Sequence, residues 1–314
     1  MRVLVTGGAG FIGSHLVARL LARDDEVVVY DNLSVGSIDR VERHFSNPHF
    51  QFVKGDLLDF HQTSKVVRGS DIVFHMASNA DISKSMTQTD LDLRLGVMTL
   101  YNVLESMRLS GCSNLFFPSG SGVYGDVGPT PINENFAHMR PISMYGASKL
   151  ACEAIISAFC HMFDMQAWIG RLANIVGSRQ THGVVLDFVK KLRADPTRLQ
   201  ILGDGRQSKS YLHVSECVDA ILTVVERPRE KMNVFNVAPG DSIEVRKIAQ
   251  IVVEEMRLND VRFEYTGGDR GWKGDVPVVR MDVTKINALG WTNRLSSAGA
   301  VRLAARELIA SELH

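Results

Sequence analysis

A short apolar segment, Val3-Leu-Val-Thr6, runs directly into Gly7-Gly-Ala-Gly10-Phe-Ile-Gly13 and then into an apolar helical pattern. A strand that ends in glycines at 7, 10 and 13 can turn tightly and hand over to a helix packed close beside it. The spacing is one residue longer than Gly-x-Gly-x-x-Gly, in which glycines let backbone approach a pyrophosphate and aim a helix N-terminus at it. A glycine turn that serves packing alone is the plain alternative. The strand–turn–helix context favours a dinucleotide site made by Gly7, Gly10, Phe11, Ile12 and Gly13.

The same rhythm continues through the first half. Strand-like segments at residues 3–6, 26–30, 50–54, 71–75, 114–118 and 166–171 alternate with helical patterns at 11–22, 61–67, 91–109 and 144–163. Near-continuous apolar strands between amphipathic helices predict an α/β chain with a doubly wound parallel sheet of Rossmann type over residues 1–175. Beyond that the rhythm breaks. Helices are expected at 184–193, at 215–226 before Pro228, at 245–256 and from 297 onward, with turns at Gly203-Asp-Gly205 and Thr266-Gly-Gly268. Residues 176–314 are expected to form a smaller mixed α/β lobe, part of 206–240 returning to the first domain. Ligands belong at the carboxyl edge of such a sheet.

Composition narrows the function by exclusion. The 314 residues carry 35 Lys plus Arg against 35 Asp plus Glu, with no basic excess for nucleic acid or a membrane surface. No apolar run approaches the roughly 18 residues that span a bilayer. Cys112, Cys152, Cys160 and Cys217 form no Cys-x-x-Cys pair, which suits a reducing, cytoplasmic setting. His75, His161, His182 and His213 make no ligand constellation, so no metal is expected.

Strand two ends in Val28-Val-Tyr30-Asp31. An acid there can bind the adenosine ribose hydroxyls and repel a 2′-phosphate, favouring NAD over NADP. It can equally cap an Asx-turn into Asn32. Asp56 and Leu57, after the third strand, are candidates for the adenine side. Further on, Tyr145-Gly-Ala-Ser-Lys149 sets a phenol and an ammonium one turn apart on a helix face. A nearby positive charge favours phenolate, which makes a usable general base. An exposed i,i+4 pair is the plain alternative.

Together these motifs resemble the extended short-chain dehydrogenases/reductases, the nucleotide-sugar epimerase/dehydratase family, and most of all its UDP-glucose 4-epimerases. The resemblance runs through Thr6-Gly-Gly-Ala-Gly-Phe-Ile-Gly-Ser-His15, Tyr30-Asp-Asn-Leu33, Phe74-His-Met-Ala77, Val123-Tyr-Gly125, Tyr145-Gly-Ala-Ser-Lys149, Gly203-Asp-Gly205 and Leu289-Gly-Trp291. It implies NAD, a nucleotide-diphosphate hexose of the UDP-glucose/UDP-galactose type, and epimerisation at C4 through a 4-keto sugar. Tyr145 would take the 4-hydroxyl proton, and Lys149 would bind the nicotinamide ribose. Net 4-dehydrogenation, dehydration, or NAD sensing without turnover are the competing readings.

Two positions depart from the resembled pattern. Gly120 stands where relatives carry a Ser or Thr, with Ser119 and Ser121 either side as substitutes for the hydroxyl, or water in its place; Ser121 is preferred. Gly96 stands where an asparagine is common. Ser121 and Gly122 also replace the acidic residues a dehydratase needs. On the substrate side the resemblance implies diphosphate contacts from Asn174, Lys209 and Arg270. Arg270 lies in a segment, Asp269-Arg-Gly-Trp-Lys-Gly-Asp275, two residues longer than usual. Val184, Val185 and Phe188 are candidates for the base pocket, or for plain core. Val279 replaces a bulky gate residue of some relatives, which implies room at the sugar C2. The helical patterns at 91–109 and 144–163 correspond to a dimer bundle in relatives, so a homodimer is expected, although burial against the second lobe would give the same pattern.

Overall fold

The computed structural model describes residues 1–79, 81–227 and 230–311; Pro228, the expected stop of one helix, lies outside them. Seven strands form the central sheet: β1 (Arg2–Thr6), β2 (Glu26–Asp31), β3 (Phe50–Lys54), β4 (Ile72–His75), β5 (Asn114–Gly120), β6 (Gln166–Leu172) and, from the second half, β11 (Met232–Val237). Every pairing in it is parallel, in the order β11-β6-β5-β4-β1-β2-β3. The order reverses between β1 and β4, which opens a crevice at the carboxyl ends of the strands. The doubly wound parallel sheet read from the sequence is the one observed.

Alternation along the strands divides the core into two layers. Val3, Val5, Val27 and Val29 face α1 (Phe11–Leu21) and α6 (Val214–Glu226). Leu4, Val28 and Tyr30 face the opposite layer, made by α3 (Thr99–Ser110) and α4 (Met144–Met162). Both faces are covered, so the strands read as unbroken apolar runs. The same layer includes α2 (Phe60–Val67), packed on α3, and a π-helical turn, Leu93–Met98, that precedes α3 and packs on α4. The expected helix at 91–109 therefore begins in a wider helix. Buried Gly96 lies within that turn against Ser148, one residue from Lys149.

A second core is built by α5 (Val184–Ala194), α7 (Val245–Glu255) and α9 (Ser297–Ser311) around Leu199 and Ile201. Short pairs of strands trim this lobe: β7 (Asn174–Val176) with β10 (Tyr211–His213), β8 (Arg198–Ile201) with β13 (Arg262–Tyr265), and β9 (Ser208–Lys209) with β12 (Ile243–Glu244). A one-turn helix, α8 (Thr284–Asn287), packs beside β11. No helix among the described residues is long and apolar enough to cross a membrane.

Candidate active site

A cleft of about 680 Å³ opens at the crevice, lined from both lobes. At one end Gly7, Gly10, Phe11, Ile12 and Gly13 form its floor. Gly7 sits at φ +67°, and a Cβ there would stand 2.6 Å from the Ala77 nitrogen. A Cβ on Gly13 would stand 2.3 Å from the Gly7 carbonyl oxygen. Only hydrogen fits at either place, so the turn closes and α1 packs tightly on it. No side chain caps α1, whose first N–H groups are left to a ligand in the cleft.

Asp31, 8% exposed, accepts the Ala9 N–H at 2.9 Å and the Leu33 N–H at 2.8 Å. Burial raises its pKa, the two N–H bonds and the Arg40 charge working against that. The Asx-turn and the cleft-lining position thus coexist in one carboxylate. Asn32 lines the cleft as well, while Asp56 and Leu57 line an adjoining recess together with Tyr30 and Thr99.

Tyr145 and Lys149 occupy the first turns of α4, which Ser143 caps by accepting the Gly146 N–H. Both line the cleft. The Lys149 ammonium donates to the Pro118 carbonyl at 2.8 Å, lies 4.7 Å from the Phe117 ring centre and 5.5 Å from that of Tyr145. Burial brings its pKa down to about 8, against the pull of Cys152, Asp92 and Glu153. The phenol behaves contrary to the reading from sequence. Burial, helped by the negative Asp92, pushes Tyr145 up to about 12. The ammonium is aimed at a carbonyl rather than the hydroxyl, so in the protein alone desolvation outweighs its attraction.

The hydroxyl candidates separate. Ser119 donates to Glu153 at 2.5 Å, and Glu153 is in turn gripped by the Arg171 guanidinium at 2.7 Å. That serine is committed to a buried network. Ser121 lines the cleft, half-buried, with no hydrogen-bond partner among the described residues. Beside it, a Cβ on Gly120 would stand 3.9 Å from the Tyr145 hydroxyl.

On the substrate side the expected residues scatter. Asn174 lines the cleft, its amide donating to the Ser210 carbonyl at 3.2 Å. Lys209 lines it too, closely paired with Asp275. Arg270 does not: its guanidinium is held by Asp126 at 2.6 Å and by the carbonyl of cleft-lining Asp275 at 2.8 Å. Val185 is a second correction. It is wholly buried in the second lobe's core and does not line the cleft, whereas Phe188, a member of the same core, and half-buried Val184 do.

The profile of the NAD dependent epimerase/dehydratase family matches residues 3–238. The chain belongs to this family. A UDP-glucose 4-epimerase of Mycolicibacterium smegmatis is 30% identical over 314 residues, covering 96% of each chain. UDP-glucuronic acid decarboxylase 2 of Arabidopsis thaliana is also 30% identical, over 94% of this chain and 65% of that one. A solved structure of a UDP-galactose 4-epimerase superposes with a TM-score of 0.89 at 38% identity, over 100% of both chains. The protein is therefore an NAD-dependent enzyme of the nucleotide-sugar epimerase/dehydratase family. The cradle at Gly7 and Gly13, which any Cβ would fill, and the uncapped start of α1 fit the cofactor's pyrophosphate.

Several lining residues of this family member escaped the sequence reading. The 180–183 loop, Gln207, Tyr211 and Trp272 all reach the cleft. Their spacing carries no periodic signal. Glu153 was within reach, being four residues after Lys149 on the same helix face. His75 bonds Thr6 at 2.8 Å and stacks on Phe117, and its burial brings the imidazole pKa down to about 3.

Proposed function

We propose that the protein interconverts the C4 epimers of a nucleotide-diphosphate hexose, of the UDP-glucose/UDP-galactose type, through a 4-keto sugar. The observation that carries this reading is the turn facing Tyr145. It offers Gly120, Ser121 and Gly122, a hydroxyl but no acid to expel a leaving group, so elimination lacks its proton donor. Gly7, Gly10, Phe11, Ile12, Gly13, Asp31, Asn32, Asp56 and Leu57 would hold NAD, together with Lys149 and Tyr145. Bound NAD supplies a hydride acceptor, which is also the later donor, and a cationic ring.

Tyr145 takes and returns the proton of the sugar hydroxyl, and Ser121 bonds that hydroxyl during the exchange. Lys149, together with the cationic ring of bound NAD, would offset the desolvation that holds Tyr145 protonated in the protein alone. Asn174 and Lys209 bind the diphosphate, for which Lys209 must exchange Asp275 for phosphate oxygens. Ser119 instead holds Glu153 and fixes the end of β5. Residues 1–175 with part of 206–240 act as the cofactor domain, and the remainder of 176–314 as the nucleotide-sugar lobe. The outer faces of α3 and α4 leave Tyr101, Leu109 and Met162 at 44%, 59% and 70% exposure, which supports pairing of two copies as a homodimer.

A single assay tests the reaction. Purified protein is incubated with UDP-glucose and related nucleotide sugars while products and NADH absorbance are followed. Epimer without net NADH is expected. Accumulated NADH or a released keto sugar favours dehydrogenation or dehydration, and silence across the panel leaves an NAD-binding protein without turnover.

A further inference from the structure

Of the three tryptophans, Trp168 and Trp291 are 2% and 7% exposed within the core beneath the sheet. Trp272 belongs to none of the four hydrophobic cores and is half-buried on the wall of the cleft. Its ring lies over Gly274, where a Cβ would stand 2.3 Å from one ring carbon and 3.2 Å from the Ser143 Cβ. Ser143 caps α4 two residues ahead of Tyr145, so the indole stands at the catalytic end of the cleft rather than near Asp31.

The turn that carries it is braced. Asp275 accepts the Gly271 N–H at 3.0 Å and donates its own N–H to the Trp272 carbonyl at 3.0 Å. Arg270 ties the same turn to Asp126 at 2.6 Å, across to the loop after β5. A large aromatic held this firmly at a cleft mouth leaves apolar surface wet that a core position would bury. Its indole N–H has no hydrogen-bond partner among the described residues. The donor and the part of the indole that lines the cleft are thus available to a ligand.

We infer that Trp272 is the platform for the hexose of the substrate, its ring face against the sugar's C–H face and its N–H free for a sugar hydroxyl. The inference rests on the nucleotide-hexose reading above and names a specificity residue for it. The physical reason suits the chemistry. A sugar that must present either face at C4 is poorly served by fixed donors that lock one orientation. An aromatic face holds the ring without directional demand. The 269–275 segment, tied down by Arg270 and Asp275, is what places the indole there.

The test uses the NAD-loaded protein in a Tyr145→Phe background, where binding is read without turnover. Tryptophan emission is followed during titration with UDP-glucose, UDP-galactose, UDP-N-acetylglucosamine and UDP. A change caused by the UDP-sugars, at least twice that caused by UDP and absent from the Tyr145→Phe, Trp272→Phe double variant, is expected. With Tyr145 intact, Trp272→Ala should raise KM for UDP-glucose about tenfold while inhibition by UDP shifts less than about twofold. Equal effects on UDP and UDP-glucose, or no sugar-dependent change with any of the three sugars, overturn the platform. A protein that shows the sugar-dependent change yet makes no epimer keeps the Trp272 contact and loses the 4-epimerase reading instead.

Discussion

The two ends of the cleft are built by different means. At the cofactor end, Gly7 to Gly13, Asp31 and Asn32 come from two consecutive strand-to-helix turns, and backbone shape makes the site. At the other end, Asn174, Lys209, Trp272 and Asp275 converge from segments far apart in the chain. There the side chains meet one another before they meet a ligand, Lys209 on Asp275 and Arg270 on Asp126. A site made of backbone is already fixed by local sequence. One made of charged side chains depends on which partners the fold supplies.

The sharpest test lies at the seam between the ends. Tyr145→Phe should lower turnover by roughly 10²–10⁴, with NAD retained. Near-normal activity in that variant would remove the central residue of the reaction. At the cofactor end, Gly13→Ala drives a methyl against the Gly7 carbonyl. Overpacking of this kind costs about 1–3 kcal/mol, so a lower melting temperature and loss of co-purified NAD are expected. An unchanged NAD content would show that the backbone cradle is looser than its geometry.

The substrate end should respond unevenly. Lys209→Met is expected to raise KM for UDP-glucose about tenfold or more, the scale of a charge-assisted bond. Arg270→Met, which removes a partly exposed pair outside the cleft that braces the Trp272 turn, should raise KM by less than Lys209→Met does. The reverse ranking would restore Arg270 to the diphosphate site. Val279 is buried on the cleft wall, and the proposed C2 pocket beside it predicts a selective loss when it is filled. Val279→Tyr should lower kcat/KM for UDP-N-acetylglucosamine several-fold relative to UDP-glucose, and equal losses on both would count against a C2 pocket.

An effect on stability alone, absent at neutral pH, concerns the β1–β4 seam, where the sheet order reverses. His75 is held neutral, with a folded pKa of about 3 against an ordinary 6.5. The unfolded chain binds the extra proton between those values, so this contribution to stability is complete above pH 6.5 and lost as pH falls toward 3. Urea midpoints measured across that range should fall less steeply with acidity in His75→Gln. Parallel curves for the two proteins would assign acid sensitivity elsewhere.

The central sheet was largely legible because strands buried on both faces read as apolar runs. β11 was not, since Met232-Asn-Val-Phe-Asn-Val237 carries two asparagines. The fold satisfies both: Asn236 bonds Tyr124 and the Ile132 and Asp282 carbonyls, and Asn233 bonds the Ala167 carbonyl. The two- to four-residue strands of the second lobe are too short to show a period. Val185 and Phe188 share one core yet only Phe188 lines the cleft, a distinction that no hydropathy pattern on a short helix can make.

Sequence alone determined the parallel sheet, the glycine cradle, NAD and the Tyr145–Lys149 spacing, because each depends on backbone geometry within one or two elements. Tertiary structure decided what depends on partners brought from a distance. It committed Ser119 to Glu153 and left Ser121 to the cleft. It gave Arg270 to Asp126 and set Trp272 over Gly274. It also reversed the expected effect on Tyr145, since the cost of burying a phenolate is set by the surrounding protein and not by the lysine one turn away.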